Sequence, residues 1–297
     1  MTPLSEVVAK KTQWMKSESS GLYVNIVFSD MDDTLLSCDK SISEKNLEIL
    51  DRLAKQGIPF VPASGRALSL LPHEVLAHPA SRYAITADGA TVTDLRTEEA
   101  LYTSHIKKED ALALFELMKD LPVTFDVFTG GRAYTDNARR EKMKLFRLPG
   151  HHKEFMLRSR TPYEGSPKDF IASIDDIERL GSYWSEDADA YVRPLVEAAF
   201  AEVGAFDVTS SMGVGAEILA HGTSKGTALT WLCDYLGISS DTAAAFGDAD
   251  NDTEMLQSAG IGVAMGNGNE SVLRAARFVT YTNEESGEGR FLEWALS

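Results

Sequence analysis

Apolar residues recur along the chain with two spacings. Leu22 to Ser29 (LYVNIVFS) is a short β-rich run that ends abruptly in Asp30-Met31-Asp32-Asp33, which predicts a buried strand feeding an acidic turn. From Ser43 to Gln56 the apolar positions Leu47, Leu50 and Leu53 fall three apart. Ser41 and Ser43 stand before them as candidate N-caps, Glu44 closes a Ser-x-x-Glu box, and Gly57 follows as a stop, so an amphipathic helix is expected. Ile58 to Ala63 reads as a second strand, with Pro59 and Pro62 suited to strand ends, and Tyr83 to Thr86 as a third. Strand, helix, strand spacing of this kind predicts a parallel sheet with right-handed crossovers.

The pattern changes after about Thr91. Val123 to Phe128 and Ala133 to Thr135 are close-set strands around Thr129-Gly130-Gly131, a hairpin signal, and helical stretches are predicted over Glu109 to Lys119 and Ala188 to Ala201. This middle third has the character of an α+β module. The basic stretch from Arg139 to Pro167 is only weakly periodic and is expected to be a loop. Alternation resumes near Glu217: a helix over Ser224 to Leu236 stopped by Gly237, a strand at Thr242 to Phe246, a helix at Asp252 to Ser258 and a strand at Ile261 to Ala264. The fold class is therefore α/β, a doubly wound (Rossmann-like) parallel-sheet core interrupted by an inserted α+β domain. The expected bounds are 1–21 for an N-terminal extension, 22–92 and 213–297 for the core, and 93–212 for the insert.

Composition narrows the choice of partner. The 297 residues carry 45 Asp plus Glu against 29 Lys plus Arg, a net charge of −16, which disfavours nucleic acid and anionic membrane surfaces as partners. No apolar run has membrane-span length, and residues 1–21 lack a signal-peptide core, so a cytoplasmic location is expected. Cys38 and Cys233 are too far apart for a zinc or redox pair, so any bound metal must take oxygen ligands.

The candidate chemistry sits where strands end and helices begin. Asp30 and Asp32, at the carboxyl end of the first strand, lie two apart and would share a face in extended backbone, the arrangement of a nucleophile and a general acid/base; an acidic turn is the plain alternative. Gly247-Asp248-Ala249-Asp250-Asn251-Asp252 follows a later strand in the same manner, and this rarer string is the stronger signal, although carboxylates in a first helical turn are often mere dipole complements. Its carboxyl and amide oxygens, without His or Cys, favour a hard cation such as Mg²⁺. Lys225 opens a helix, where the macrodipole disfavours a cation unless a fixed anion lies nearby. Ser64-Gly65-Arg66 ends the second strand, so a hydroxyl and backbone N–H groups there suit phosphate oxygens, or simply cap a helix.

Four such motifs in this order resemble the haloacid dehalogenase superfamily, specifically the Cof-type phosphatases with a large inserted cap. The resemblance runs from about Asn25 to Val279 and includes Val208-Thr209-Ser210-Ser211, Glu217-Ile218 and Gly262-Val263-Ala264-Met265-Gly266-Asn267. It implies Asp30 as nucleophile, Asp32 as acid/base, Ser64 as phosphate-binding hydroxyl, Lys225 as charge-balancing lysine and Asp248 as metal ligand. Asn251 and Asp252 would support the metal and phosphate site, and the backbone carbonyl of Asp32 would join the metal. The insert, between Ser64 and Lys225, occupies the second of the family's two cap positions. Asp33 and Asp88 stand where the family usually has Gly and Asn, and Asn283 to Gly287 looks looser than usual.

The implied reaction is hydrolysis of a small phosphate ester, sugar phosphates first and phosphorylated cofactors such as pyridoxal phosphate or flavin mononucleotide next. Asp30 would form an aspartyl-phosphate while Asp32 protonates the leaving alcohol and then activates water. Asp30, Asp32, Asp248 and Asp252 against Mg²⁺ and Lys225 balance to zero if Asp32 is protonated. The cap would select the leaving group; Arg132, Tyr134, Arg139 and Arg140 are candidate contacts, with ordinary surface roles favoured for each. A phosphomutase of the same superfamily and a phosphate-ester sensor without turnover are the competing readings.

Overall fold

The computed structural model describes residues 2–17, 20–148, 152–210 and 214–297. The chain divides into two compact units, one of residues 1–65, 71–102 and 224–297 and another of residues 66–70 and 103–223. The crossings at 102/103 and 223/224 replace the expected 92/93 and 212/213, the latter of which falls at residues outside those described. The earlier crossing is displaced because strand β3 (Tyr83–Thr86) does not end the core. It runs on through β4 (Thr91–Asp94) and β5 (Glu99–Thr103) in a three-stranded sheet of order β3-β4-β5, in which β3 and β4 are antiparallel.

In the first unit, β1 (Ile26–Ser29) and β2 (Phe60–Pro62) share a parallel sheet with three later strands, β12 (Ala243–Gly247), β13 (Ile261–Ala264) and β14 (Phe278–Val279). The order is β14-β13-β12-β1-β2. The β3 segment meets the β2 segment through the isolated parallel bridges Phe60↔Ser81 and Ala63↔Ile85. From β1 the chain moves to one side of the sheet and from β12 to the other, so the sheet reverses winding between them. In open α/β sheets that reversal leaves a crevice at the carboxyl ends of the two strands. One face of the sheet buries Ile26, Phe28, Ala243 and Ala245 against Leu229, Leu232 and Met255. On the other face Phe246 meets Phe291 of the C-terminal helix Gly287–Ala295 edge-on.

The helix after β1 spans Glu44–Gln56, with Gly57 at φ 70° as its stop. Ser43 is its N-cap, accepting from the Asn46 N–H, while the Ser41 hydroxyl bonds Asp39, so the Ser41-x-x-Glu44 box does not form. The N-terminal extension is part of this unit. Its helix Leu4–Lys11 brings Lys11 Nζ to the carbonyls of Leu273 and Arg274, at 2.9 and 2.7 Å, at the end of another helix. Trp14 donates to the Val279 carbonyl and packs on Phe291 and Trp294.

The second unit contains β6 (Asp126–Thr129), β7 (Arg132–Asp136), β8 (Thr161–Tyr163), β9 (Arg179–Ser182), β10 (Phe206–Thr209) and β11 (Ala216–Ala220). They form one sheet of order β10-β11-β9-β6-β7-β8. Gly130 and Gly131, at φ 56° and 68°, make the predicted tight hairpin turn between β6 and β7. Helices Lys108–Met118 and Asp189–Val203 contribute Leu114, Phe115, Val192 and Val196 to a core with Val127, Leu180 and Ile218. The expected loop over residues 139–167 instead contains helices Asn137–Met143 and His152–Ser159 and strand β8, held by a cluster of Met143, Phe146, Met156 and Tyr183. Its apolar residues are spread over two short helices, so neither reaches a length at which periodicity is visible. Residues 149–151 and Ser211 lie outside those described.

Candidate active site

Asp30 follows β1 directly, and Asp248 follows β12, at the two strands that flank the winding reversal. After Asp30 the backbone does not stay extended. It enters a single wide turn over Met31–Leu35 with Asp33 at φ 60°, so Asp32 lies within the turn rather than on a strand face shared with Asp30. A left-handed φ explains why glycine suits position 33, and Asp is among the few side chains that tolerate it. The Asp32 side chain is 37% exposed and ion-paired with Lys40 at 2.9 Å.

Lys225 is the first residue of helix Lys225–Leu236, capped by Ser224, and is completely buried. Its ammonium group donates to Asp30 Oδ1 at 2.6 Å and to Asp252 Oδ1 at 2.7 Å. The anions that justify a lysine at a helix N-terminus are therefore these two carboxylates. Burial alone would lower the lysine pKa; Asp252, Asp30 and Asp88 overcome it and hold the group charged well above its ordinary range.

Asp252 is as buried as the lysine. Its second oxygen accepts from the backbone N–H groups of Asp248 and Ala249 at 3.0 and 3.1 Å, closing the Gly247–Asp252 loop on itself. A Cβ on Gly247 would stand 2.4 Å from Asp252 Cβ, so this loop requires glycine there. Asp248 Oδ1 accepts from the Thr34 hydroxyl at 2.8 Å, which ties the turn after β1 to the loop after β12. Burial is the main cause that raises the Asp248 carboxyl to about 7, with Asp252 adding to it. Asp30 is also driven well above the usual carboxylate range, by burial first, while the Lys225 charge opposes the shift.

Asp30, Asp248 and Asp252 each bring a carboxylate oxygen to within 4.8 Å of the others. Asn251 donates to Asp88 Oδ1 at 2.9 Å, and its own Oδ1 is buried without a hydrogen-bond partner. An all-oxygen set of this kind, with one orphaned acceptor, fits a hard divalent cation.

Ser64 is buried at the end of β2. Its backbone N–H donates to Ile85 O and its carbonyl accepts from Asp88 N, which joins it to the Ala87-Asp88-Gly89 turn. That turn holds three successive positive φ angles of 49°, 55° and 102°, and a Cβ on Gly89 would meet Ser224 O at 2.1 Å. Asp88, at 1% exposure, is thus a further buried carboxylate of the site, which the charge balance drawn from four aspartates left out. Gly65 ends its segment of the first unit, whereas Arg66 belongs to the second, where it donates to Leu70 O and lies over the Phe155 ring.

Of the second unit's other candidates, Arg139 pairs with Asp136, Arg140 donates to Leu157 O and Tyr134 packs on Phe170. Arg132 is exposed. The Asn283–Gly287 segment is tightly built rather than loose: Asn283 is buried, its side-chain amide donates to Leu36 O and its backbone N–H donates to Asn267 Oδ1. Residue-by-residue reading also misses Thr34, although it directly follows the acidic run Asp30 to Asp33, and Glu288, a lone acid that nothing in its sequence surroundings singles out.

The family model for haloacid dehalogenase-like hydrolases matches residues 27–292. The chain is 33% identical over 239 residues to an HMP-PP phosphatase of Klebsiella pneumoniae (strain 342), covering 80% of this chain and 82% of the relative. It is 29% identical over 287 residues to a phosphatase of Bacillus subtilis (strain 168), covering 92% and 100%. A solved phosphatase of the haloalkanoate (HAD) superfamily from Bacteroides thetaiotaomicron superposes with a TM-score of 0.73 at 27% identity, covering 93% of this chain and 98% of that one. With the carboxylates of two adjacent strand ends gathered on one buried lysine, and with these likenesses over nearly its whole length, the chain belongs to the haloacid dehalogenase-like hydrolases, as a Cof-type phosphatase.

Proposed function

We propose that the protein is a Mg²⁺-dependent phosphohydrolase of small phosphate monoesters, sugar phosphates foremost, acting through an aspartyl-phosphate on Asp30. The observation that carries this reading is the buried ammonium group of Lys225 between Asp30 and Asp252, with Asp248 in ligand reach. Lys225 orients the Asp30 carboxylate and offsets its charge, so that the free oxygen can attack a phosphate that is itself anionic.

Asp32 is the acid/base. Its partly exposed position and its Lys40 partner let it exchange protons with solvent, giving one to the leaving oxygen and taking one from the attacking water. Ser64 and the N–H group of Gly65, both in the first unit, hold phosphate oxygens in this scheme. Asp30, Asp248, the Asp32 carbonyl and Asn251 would hold the cation. Asp252, with both oxygens already engaged, supports it through Lys225 and the Asp248 loop. When bound, the cation supplies charge neutralisation on the phosphate.

The test is release of inorganic phosphate from a panel of sugar phosphates, pyridoxal phosphate, flavin mononucleotide, HMP-PP and p-nitrophenyl phosphate, with and without chelator, alongside Asp30→Asn. Turnover is expected with Mg²⁺ only, reduced at least about 10³-fold in Asp30→Asn. Activity that survives either treatment sinks the mechanism, and an isomerised sugar phosphate in place of free phosphate would assign a mutase.

A further inference from the structure

Glu288 is a buried acid to which the chemistry above assigns no task. It is the second residue of the C-terminal helix Gly287–Ala295, at 1% exposure. The helix start is fixed on both sides of it. A Cβ on Gly287 would stand 2.1 Å from Tyr281 O, and one on Gly289 would stand 2.8 Å from Asn46 Oδ1, the same atom that accepts the Gly289 N–H. The Thr280 hydroxyl also donates to the Gly287 carbonyl. Glu288 therefore has little freedom to turn away.

Among the described residues its one side-chain polar contact is Ser29, the last residue of β1 and fully buried, whose Oγ lies 2.6 Å from Glu288 Oε2. The same Oγ lies 2.8 Å from the backbone carbonyl of Asp30. A serine hydroxyl has a single proton, and the Asp30 carbonyl can only accept. If the Ser29 proton goes to the carbonyl, the 2.6 Å contact needs a proton that only Glu288 can provide. If Glu288 were ionised, it would capture the Ser29 proton, and the Asp30 carbonyl would keep only the Leu35 N–H at 3.3 Å. An ionised carboxylate in this position would have one hydroxyl for company. Burial without a cationic partner strongly disfavours that form.

We propose that Glu288 is a neutral carboxylic acid and a positioning residue for the nucleophile: it donates to Ser29 Oγ, Ser29 donates to the Asp30 carbonyl, and this relay fixes the peptide plane from which the Asp30 side chain is aimed. The role rests on Asp30 being the nucleophile of the reaction proposed above. Burial accordingly pushes the Glu288 carboxyl up to about 8, against the lowering effect of the Ser29 hydrogen bond. Preorganisation of this kind acts on the chemical step more than on substrate affinity.

Infrared difference spectra of protein carrying ¹³C-carboxyl glutamate, near neutral pH, read the proton directly. A protonated-carboxyl band is expected in the full-length enzyme and is lost in Glu288→Gln. With p-nitrophenyl phosphate and Mg²⁺, Glu288→Leu and Ser29→Ala are each expected to lower kcat about tenfold with little change in KM, the equivalent of one hydrogen bond. The double variant is no worse than either single one, and Glu288→Gln, whose amide N–H still donates to Ser29, recovers most of the loss. Absence of the band, its persistence in Glu288→Gln, or additive losses would overturn the proposal. If Glu288→Leu does not fold, the band together with the Ser29→Ala and Glu288→Gln kinetics decides. A band without any phosphatase activity would remove the positioning role and the assigned reaction while leaving the proton on Glu288.

Discussion

Lys225 offers the sharpest test of the site's electrostatics, through Lys225→Met, which keeps the length of the side chain and deletes its charge. The ammonium group lies 2.6 and 2.7 Å from two carboxylate oxygens, with the lysine and Asp252 fully buried. At an effective dielectric of about 20 each contact is a gross attraction of roughly 6 kcal/mol, much of it offset by the desolvation of the charges. What the variant leaves behind matters more: two buried carboxylates without a counter-ion, a loss that typically costs about 3–5 kcal/mol. The fold can escape by binding a proton there. Asp30 is already raised by burial with Lys225 opposing the shift, so without the lysine its carboxyl rises further. A carboxyl with a raised folded pKa stabilises below its unfolded pKa, and that contribution is lost as the pH climbs through the folded value. The deficit of Lys225→Met should therefore be largest near pH 8, about 10 °C in melting temperature. It should shrink by up to about 1.4 kcal/mol per pH unit as the pH is lowered and Asp30 takes up a proton. Thermal unfolding followed by circular dichroism in chelator, at several pH values, measures it. A variant within about 2 °C of the parent at pH 8, or an equal deficit at about pH 5.5 and pH 8, would refute the assignment of Lys225 as the counter-ion.

Gly247→Ala forces a methyl group onto Asp252 at 2.4 Å; it should cost about 1–3 kcal/mol in urea unfolding and lower phosphatase activity by at least about tenfold. Trp14→Ala removes three aromatic contacts and the bond to Val279 O, and should destabilise the first unit by about 3–5 kcal/mol in the same assay. A loss under about 1 kcal/mol would mean that residues 4–16 contribute little to this unit. For Glu288 the folded pKa is near 8 against 4.5, so the unfolded chain releases its proton first. Stability should fall by up to about 1.4 kcal/mol per unit between those pH values, a contribution that disappears in Glu288→Gln and is read as the pH-dependent difference between the two proteins.

The chain's hydrophobic spacing revealed what repeats locally. β3 and β13 begin and end where their apolar runs do, and the Gly130-Gly131 turn follows from two residues that accept left-handed backbone. Lys225 was legible because a cation at a helix start demands an explanation, and the structure answers with Asp30 and Asp252. What escaped depends on distant neighbours. Ser43 and Ser41 are equivalent as cap candidates until Asp39 takes the Ser41 hydroxyl. Glu288 looks like any exposed acid until the helix start buries it on Ser29. The sequence predicts an extended face for Asp32 because the turn at Asp33 has no strong signal of its own when the residue is not glycine.

The excursion of residues 66–70 into the second unit bears on how separable the inserted module is. There the Ser69 N–H donates to Gly131 O, Ala67 packs with Phe128 and Ala133, and a Cβ on Gly131 would press on Leu68 at 3.3 Å. A chimera that exchanges only residues 103–223 would carry away the hairpin and leave its five-residue complement behind in the donor. Transplanting this module between relatives therefore calls for two segments cut from the gene, the first beginning one codon after Gly65.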